Sequence, residues 1–302
     1  MKISVLMAVY DPDPLWWSAQ LASLDAQTAE LSLEIRDDAS PGWTGEALRA
    51  FIADHYHRPF SFARNGENLG SVSTFALLTR ETKGEVLLYC DQDDIWEPEK
   101  AAATAALLVQ GVSLGYCGLR CIDGEGMPAP SLRLPVREGY GLLKKLLYHN
   151  WIPGCALAVR REDALASLPW KEGVHDQLLA IHCARLGRFA REPRPLLRYR
   201  LHGGNQTGRL RRVSDRESYI ARRVEPFARQ MSALAGKYPD PEVRAAHAWG
   251  NARIAWFQGE KGSFFKLLGG LFSEPRYTLL DIAVKLLPEK KAAALLCRLG
   301  RK

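Results

Sequence analysis

A chain of 302 residues with 47% apolar residues, 25% charged residues, 17 Pro and 25 Gly has ordinary globular composition and length for about two average domains. This excludes a peptide, a disulfide-stapled miniprotein, a collagenous repeat and a wholly disordered chain. The net charge of +7 is unevenly divided: residues 1–184 hold 16 Lys and Arg against 24 Asp and Glu, a net −8, and residues 185–302 hold 25 against 10, a net +15. An acidic half suits cation-assisted chemistry, and a basic half suits an anionic partner.

The amino-terminal part alternates short apolar runs with helical patterns, which predicts a parallel sheet covered by helices. A strand over 3–9 leads into the turn Asp11-Pro12-Asp13-Pro14, and a helix over 15–27 brings Leu21 and Leu24 to one side. A second strand over 31–35 ends at Asp37-Asp38. A helix over 45–55, a strand over 60–63, a helix over 71–82 and a strand over 85–90 continue the winding, which ends at Asp91-Gln92-Asp93-Asp94. In open sheets of this kind ligands bind beyond the carboxyl ends of the strands. Tyr10-Asp11, Asp37-Asp38 and the 91–94 cluster all fall on such ends.

Residues 101–119 are the longest uncharged stretch, but Thr104, Gln110, Gly111, Ser113 and Gly115 interrupt them. They read as helix, turn and strand, so no transmembrane helix is expected. Beyond Asn205 the arginines 209, 211, 212, 216, 222 and 223 accumulate and the chain reads as helical to its end. This places a catalytic domain at 1–208 and a basic, mainly helical region at 209–302. Six cysteines are scattered without a CxxC pair, and the first residues enter a strand pattern directly, which predicts reduced thiols and a cytoplasmic location.

Asp91, Asp93 and Asp94 put three carboxylates into four positions directly after a strand. A divalent cation relieves their repulsion, and hard oxygen ligands suit Mg²⁺ or Mn²⁺. Such ions take few protein carboxylates and complete their shell with substrate phosphates, which points to a diphosphate ligand. The alternative is a helix start capped by Asp94.

The series Val5-Leu6-Met7-Ala8-Val9-Tyr10, Asp37-Asp38-Ala39-Ser40, Asn68-Leu69-Gly70, Asp91-Gln92-Asp93-Asp94-Ile95-Trp96, Gly154-Cys155, His175-Asp176 and Tyr199-Arg200-Leu201-His202 resembles family 2 glycosyltransferases, particularly rhamnosyltransferase-like members. The resemblance implies an α/β GT-A fold, a Rossmann-like mixed sheet flanked by helices, with a helical C-terminal extension. It also implies that Asp38 bonds the nucleotide base beside the Ala8 to Tyr10 strand end, that Asp91 faces the ribose or metal, and that Asp93 binds the metal. Asp176 would be the base that deprotonates the acceptor. His202 would reach the metal or phosphate, and Arg200 would clamp the diphosphate. Trp151, Gly154 and His175 would line the acceptor or sugar pocket, with Trp96 and Trp151 stacking on sugar faces. The alternatives are a turn residue at Asp38, a helix cap at Asp176, ordinary surface polarity for His202 and Arg200, and core packing for the two tryptophans. The chain departs from the family pattern at Ala39, where Gly is common, at Asp11, where Asn is common, and at Arg36, inside a normally apolar strand.

The implied function is inverting transfer of a sugar, rhamnose first, from a dTDP- or UDP-sugar donor to a hydroxyl of a bacterial surface glycan or lipid-linked oligosaccharide. A sugar nucleotidyltransferase or a non-catalytic nucleotide-sugar-binding or scaffold protein is the alternative. Residues 262–302 are amphipathic and basic, which suits the inner face of the cell membrane or, alternatively, packing on the catalytic domain or in a homodimer. Without zinc spacing, RNA-binding strand motif or helix-turn-helix signature, nucleic acid is not an expected partner.

Overall fold

The computed structural model describes residues 1–130, 135–203 and 213–300. The chain divides into two compact units. The first comprises Met1–Leu146, Asn150–Trp170 and Val174–Gly203, and the second Leu147–His149, Lys171–Gly173 and Gly204–Lys302. The boundary expected at 208/209 lies outside the described residues.

The first unit runs β1 (Ile3–Val9), α1 (Pro14–Asp25), β2 (Leu31–Asp37), α2 (Gly45–His55), β3 (Phe60–Arg64), α3 (Ser71–Glu81), β4 (Val86–Cys90), β5 (Ile95–Trp96), α4 (Lys100–Ala106), β6 (Val112–Ile122), α5 (Leu143–Leu146), β7 (Leu157–Arg160), α6 (Arg161–Ser167), α7 (His175–Leu186) and β8 (Arg188–Arg200). The strands form one mixed sheet in the order β3-β2-β1-β4-β7-β6-β8-β5. β3, β2, β1 and β4 are mutually parallel, β7 is antiparallel to both its neighbours, and β6 runs parallel to β8. This is the mixed, helix-flanked sheet expected of a GT-A-like fold.

Local chemistry fixes the elements that present the site. Asp13 caps α1 by accepting from the Leu15 and Trp16 amides, and Pro14 occupies the first turn, where its missing N–H costs nothing. Trp17, Leu21 and Leu24 are buried from α1 and Leu48 and Ile52 from α2, with Trp17 stacked on Phe51 at 5.0 Å between ring centres. Arg36, the charged residue in β2, pairs with Glu81 and donates to Asn65 Oδ1 at 3.0 Å. Asp11 and Ala39 both have positive φ, +44° and +60°. Asp tolerates the left-handed region, whereas Ala holds it under strain. Ile95 and Trp96 differ from the helix start considered for them: they form β5, paired antiparallel with Arg198 and Leu197 of β8, and the helix begins only at Lys100.

The second unit is helical: α8 (Arg216–Tyr219), a π-turn at Ile220–Val224, α9 (Glu225–Lys237), α10 (Pro241–Gln258), α11 (Ser263–Leu268), a 3₁₀ turn at Gly269–Phe272, α12 (Pro275–Leu286) and α13 (Glu289–Gly300). At its centre the buried Arg253 guanidinium donates to both carboxylate oxygens of Asp281 at 2.7 and 3.0 Å, and Tyr219 Oη donates to Asp281 Oδ1 at 2.8 Å. A buried ion pair is tolerated only when its remaining lone pairs are satisfied, and the tyrosine supplies that bond. Among the described residues no helix is long and apolar enough to cross a membrane.

Candidate active site

The site is built on the carboxyl ends of β1, β2 and β4. Gln92 joins the first and last of these: its Oε1 accepts from the Tyr10 amide at 2.8 Å and its Nε2 donates to the Tyr10 carbonyl at 3.1 Å. Asp38 follows β2, its amide bonded to the Val9 carbonyl at 2.8 Å. Its carboxylate accepts from Asn65 Nδ2 at 2.8 Å and from the Leu69 and Gly70 amides at 2.9 and 2.8 Å. At 3% exposure Asp38 anchors the Asn68-Leu69-Gly70 turn at the start of α3. Ala8 is half-buried in β1 and Tyr10 is exposed at the strand tip.

The acidic loop after β4 has an inner and an outer part. The inner part is Asp91, Asp94 and Cys155, whose donor atoms lie within 4.8 Å of one another. Burial pushes the Cys155 thiol and the Asp94 carboxyl well up, and burial with the neighbouring Asp93 charge raises Asp91 to about 7. Beneath them Lys100 is fully buried, its Nζ 3.2 Å from the centre of the Trp96 ring and close to the Asp94 carboxyl and the Cys155 thiol. A protonated thiol and an internal cation make this group a poor cage for Mn²⁺ or Mg²⁺. The outer part is Asp93, whose Oδ2 lies 2.7 Å from His202 Nε2, each side chain about one-fifth exposed at 19% and 18%. One carboxylate oxygen and one imidazole nitrogen at the open edge of the loop fit a hard divalent ion. Trp16 holds the imidazole, with ring centres 4.8 Å apart, and its Nε1 donates to the Gly124 carbonyl at 2.9 Å.

Asp176, in the first turn of α7, accepts from the Gly154 amide at 3.2 Å and the Gln177 amide at 2.6 Å. Burial raises it to about 6 against these bonds, and its charge is one of those that push Asp91 up. The helix cap that stood as the alternative for Asp176 is not what the residue forms: the residue before α7 is Val174, without a side-chain cap bond. The His175 ring packs between Phe75, Tyr89 and Trp170, with ring centres 4.4 to 5.9 Å away. Burial drives it down to about 3, so it is neutral at physiological pH. Gly154 is required here, because a Cβ would meet His175 Nε2 at 2.6 Å.

Two expected positions stand elsewhere. Trp96 is 2% exposed with Lys100 over its ring, so its face is core rather than a sugar platform. Arg200 is 3% exposed and spends its guanidinium on the carbonyls of Asp93, Asp123 and Gly124 at 2.8 to 3.0 Å, while its amide donates to Asp94 Oδ1 at 2.9 Å. It braces the acidic loop instead of reaching toward phosphate. Trp151 is buried and lines a surface pocket with Tyr116, Pro153 and Arg191. Gly204 and Asn205, which follow the His202 motif, lie outside the described residues. Sequence reasoning missed Gln92, Trp16 and Lys100; a lysine in Pro98-Glu99-Lys100 reads as a solvated charge, and only the fold turns it beneath the carboxylates.

Residues 20–168 match the family model described as Glycosyl transferase family 2. The matched segment is just under half of the chain and is similar to the domain of a family of transferase enzymes. Among solved structures, it is similar to S. aureus TarS 1-349 in complex with UDP-GlcNAc, with a TM-score of 0.58 and 17% identity over 98% of this chain and 84% of that one. The mannosyltransferase PcManGT from Pyrobaculum calidifontis, in complex with GDP-Man and Mn²⁺, gives 0.54 and 17% over 98% and 78%. Against the longer S. aureus TarS chain the TM-score is 0.56 at 17% identity, with 98% of this chain covered but only 52% of that one, so the chain spans about half of its length. At such identities these likenesses show the GT-A-like fold. No curated protein sequence matches the chain.

Proposed function

We propose that the protein transfers a sugar, with inversion, from a nucleotide-diphosphate donor to a hydroxyl of a bacterial surface glycan or lipid-linked oligosaccharide, rhamnose being the first donor sugar to test. The observation that supports this reading is the acidic loop after β4, where Asp93 and His202 lie 2.7 Å apart and Asp91 feels the Asp176 charge from α7. Structural relatives that hold UDP-GlcNAc or GDP-Man with Mn²⁺ support the donor class.

Asp93 and His202 would hold a divalent ion, which when bound offsets the charge gathering on the departing diphosphate. Asp176 takes the proton from the acceptor hydroxyl as its oxygen bonds to the anomeric carbon, and the nucleoside diphosphate leaves from the opposite face. The Gly154 and Gln177 amides keep the Asp176 carboxylate in place. With its value raised to about 6, Asp176 is ionised at neutral pH yet more basic than an ordinary carboxylate. Incubating the full chain with Mn²⁺ or Mg²⁺ and a panel of sugar nucleotides is expected to release nucleoside diphosphate, and chelation with EDTA to stop it. Pyrophosphate release instead would indicate a nucleotidyltransferase. Binding without turnover would indicate a non-catalytic protein.

We propose a cytoplasmic location with peripheral contact of the second unit on an anionic membrane face. In α11 and the following turn, Ser263, Leu267 and Gly270 face inward, while Phe265 and Phe272 are 77% and 91% exposed. Leu279 and Leu286 are exposed seven residues apart on α12, and exposed Lys261 and Lys266 accompany the phenylalanines. Apolar side chains rimmed by cations suit the headgroup boundary of anionic lipid. Substituting Phe265 and Phe272 together with Ser is expected to weaken sedimentation with phosphatidylglycerol vesicles by about tenfold or more. Unchanged partition would reject the contact, and conversion of a dimer to monomer would reassign the face to a subunit interface.

A further inference from the structure

The pocket lined by Trp151, Pro153 and Arg191 adjoins Gly154, whose amide bonds Asp176, and its arginine has no part in the transfer reaction as derived. β6 and β8 place Tyr116 opposite Arg191. The Tyr116 hydroxyl donates to the Arg137 carbonyl at 2.9 Å and accepts from the Arg137 amide at 3.2 Å, fixing that backbone in both directions. The Arg137 guanidinium lies 5.5 Å from the centre of the Trp151 ring. Arg191 borders the same pocket as Tyr116, Trp151 and Pro153. Pro153 precedes Gly154, whose amide holds Asp176.

Neither guanidinium has a carboxylate within ion-pair distance among the described residues. Glu192, the nearest acidic residue in sequence to Arg191, is engaged with Arg194 at 3.0 Å. Glu138 faces Tyr116 without an ion pair to either arginine. The Arg137 guanidinium lies over the Trp151 ring, its backbone is held by Tyr116, and Arg191 lines the pocket that Trp151 borders, so two half-buried guanidinium forks are available there to an anion. Surface arginines with no task ordinarily find carboxylates or open solvent.

We propose that this pocket is an acceptor subsite that recognises an anionic group, phosphate or carboxylate, on the acceptor a short distance from its reacting hydroxyl. The inference rests on Asp176 being the base, since that places the acceptor on this side of the loop. Trp151 supplies a wall for the sugar, and Arg137 and Arg191 receive its charge.

The test is calorimetric titration of the full chain, saturated with Mn²⁺ and with UDP or dTDP, whichever the donor panel selects, using glucose 6-phosphate, glucuronate and glucose as probes. Saturation keeps the phosphate probe out of the donor site. The anionic probes are expected to bind at least about tenfold more tightly than glucose, with the advantage shrinking as salt rises. The ratio of the two anions tells phosphate from carboxylate. Arg137→Gln and Arg191→Gln should each remove most of the advantage, Arg191→Lys should retain part of it, and nucleoside diphosphate affinity should stay unchanged in all three. Equal binding of the three probes to wild type, or an advantage that survives both Gln variants, overturns the subsite. Absence of nucleotide binding in wild type counts instead against the transferase reading, because the arginine cluster takes no part in holding the donor.

Discussion

Asp176→Asn is expected to reduce turnover by about 10³-fold, within the 10²- to 10⁴-fold range of a general base, while leaving metal-dependent nucleotide binding intact. The reason lies in its position. The Gly154 and Gln177 amides bond different oxygens of the Asp176 carboxylate, so the single Asn oxygen retains one of the two bonds; the isosteric side chain preserves the fold around α7 while proton acceptance is lost. The pH profile of the wild type carries a second check. Burial raises the group to about 6, so the ionised, proton-accepting form is depleted as pH falls through that value. The rate at saturating substrate should therefore decline below about pH 6 rather than below pH 4, where an ordinary carboxylate would lose its charge. Rates within tenfold of wild type in the variant would remove Asp176 from the base role.

What the sequence revealed and what it withheld follow from the range of the forces involved. β1, α2 and the end of β4 were legible because capping, apolar runs and turn residues act over a few positions: Thr44 accepting from the Ala47 amide starts α2 where its pattern predicts. The carboxylates at strand tips were legible because strand ends in a wound sheet converge whatever the loops do. Arg200 was not, since its three carbonyl partners come from residues 93, 123 and 124, far off in the chain. A guanidinium near a suspected phosphate site reads as a clamp until the partners that consume its donors are known. Trp96 was misplaced for a related reason. Two residues of edge strand are too short to register as periodicity, and pairing with β8 turns the indole onto the buried Lys100. The division of the acidic loop into an inner group whose acids burial pushes up and an outer Asp93 with His202 was equally hidden, because it depends on Cys155 and Lys100 arriving from other elements.

Asp93→Asn tests that division. The exchange removes one negative charge from the open edge of the loop but retains an oxygen near His202, so thermal stability should change little, within about 1 kcal/mol. Manganese-dependent binding of the nucleoside diphosphate is expected to weaken by about 10²-fold, since a neutral amide is a poor ligand for a hard divalent ion and the charge that offsets the diphosphate is lost with it. His202→Ala should weaken it less, by about tenfold, because an imidazole contributes a ligand atom but no charge. Cys155→Ser separates the inner group from the outer. If Asp91, Asp94 and Cys155 form only a buried support, the serine variant keeps manganese affinity near that of wild type, since a hydroxyl can replace a protonated thiol as hydrogen-bond donor. If instead Asp93→Asn binds manganese and nucleotide normally while Cys155→Ser does not, the ion sits in the inner group and the outer pair is a hydrogen bond alone.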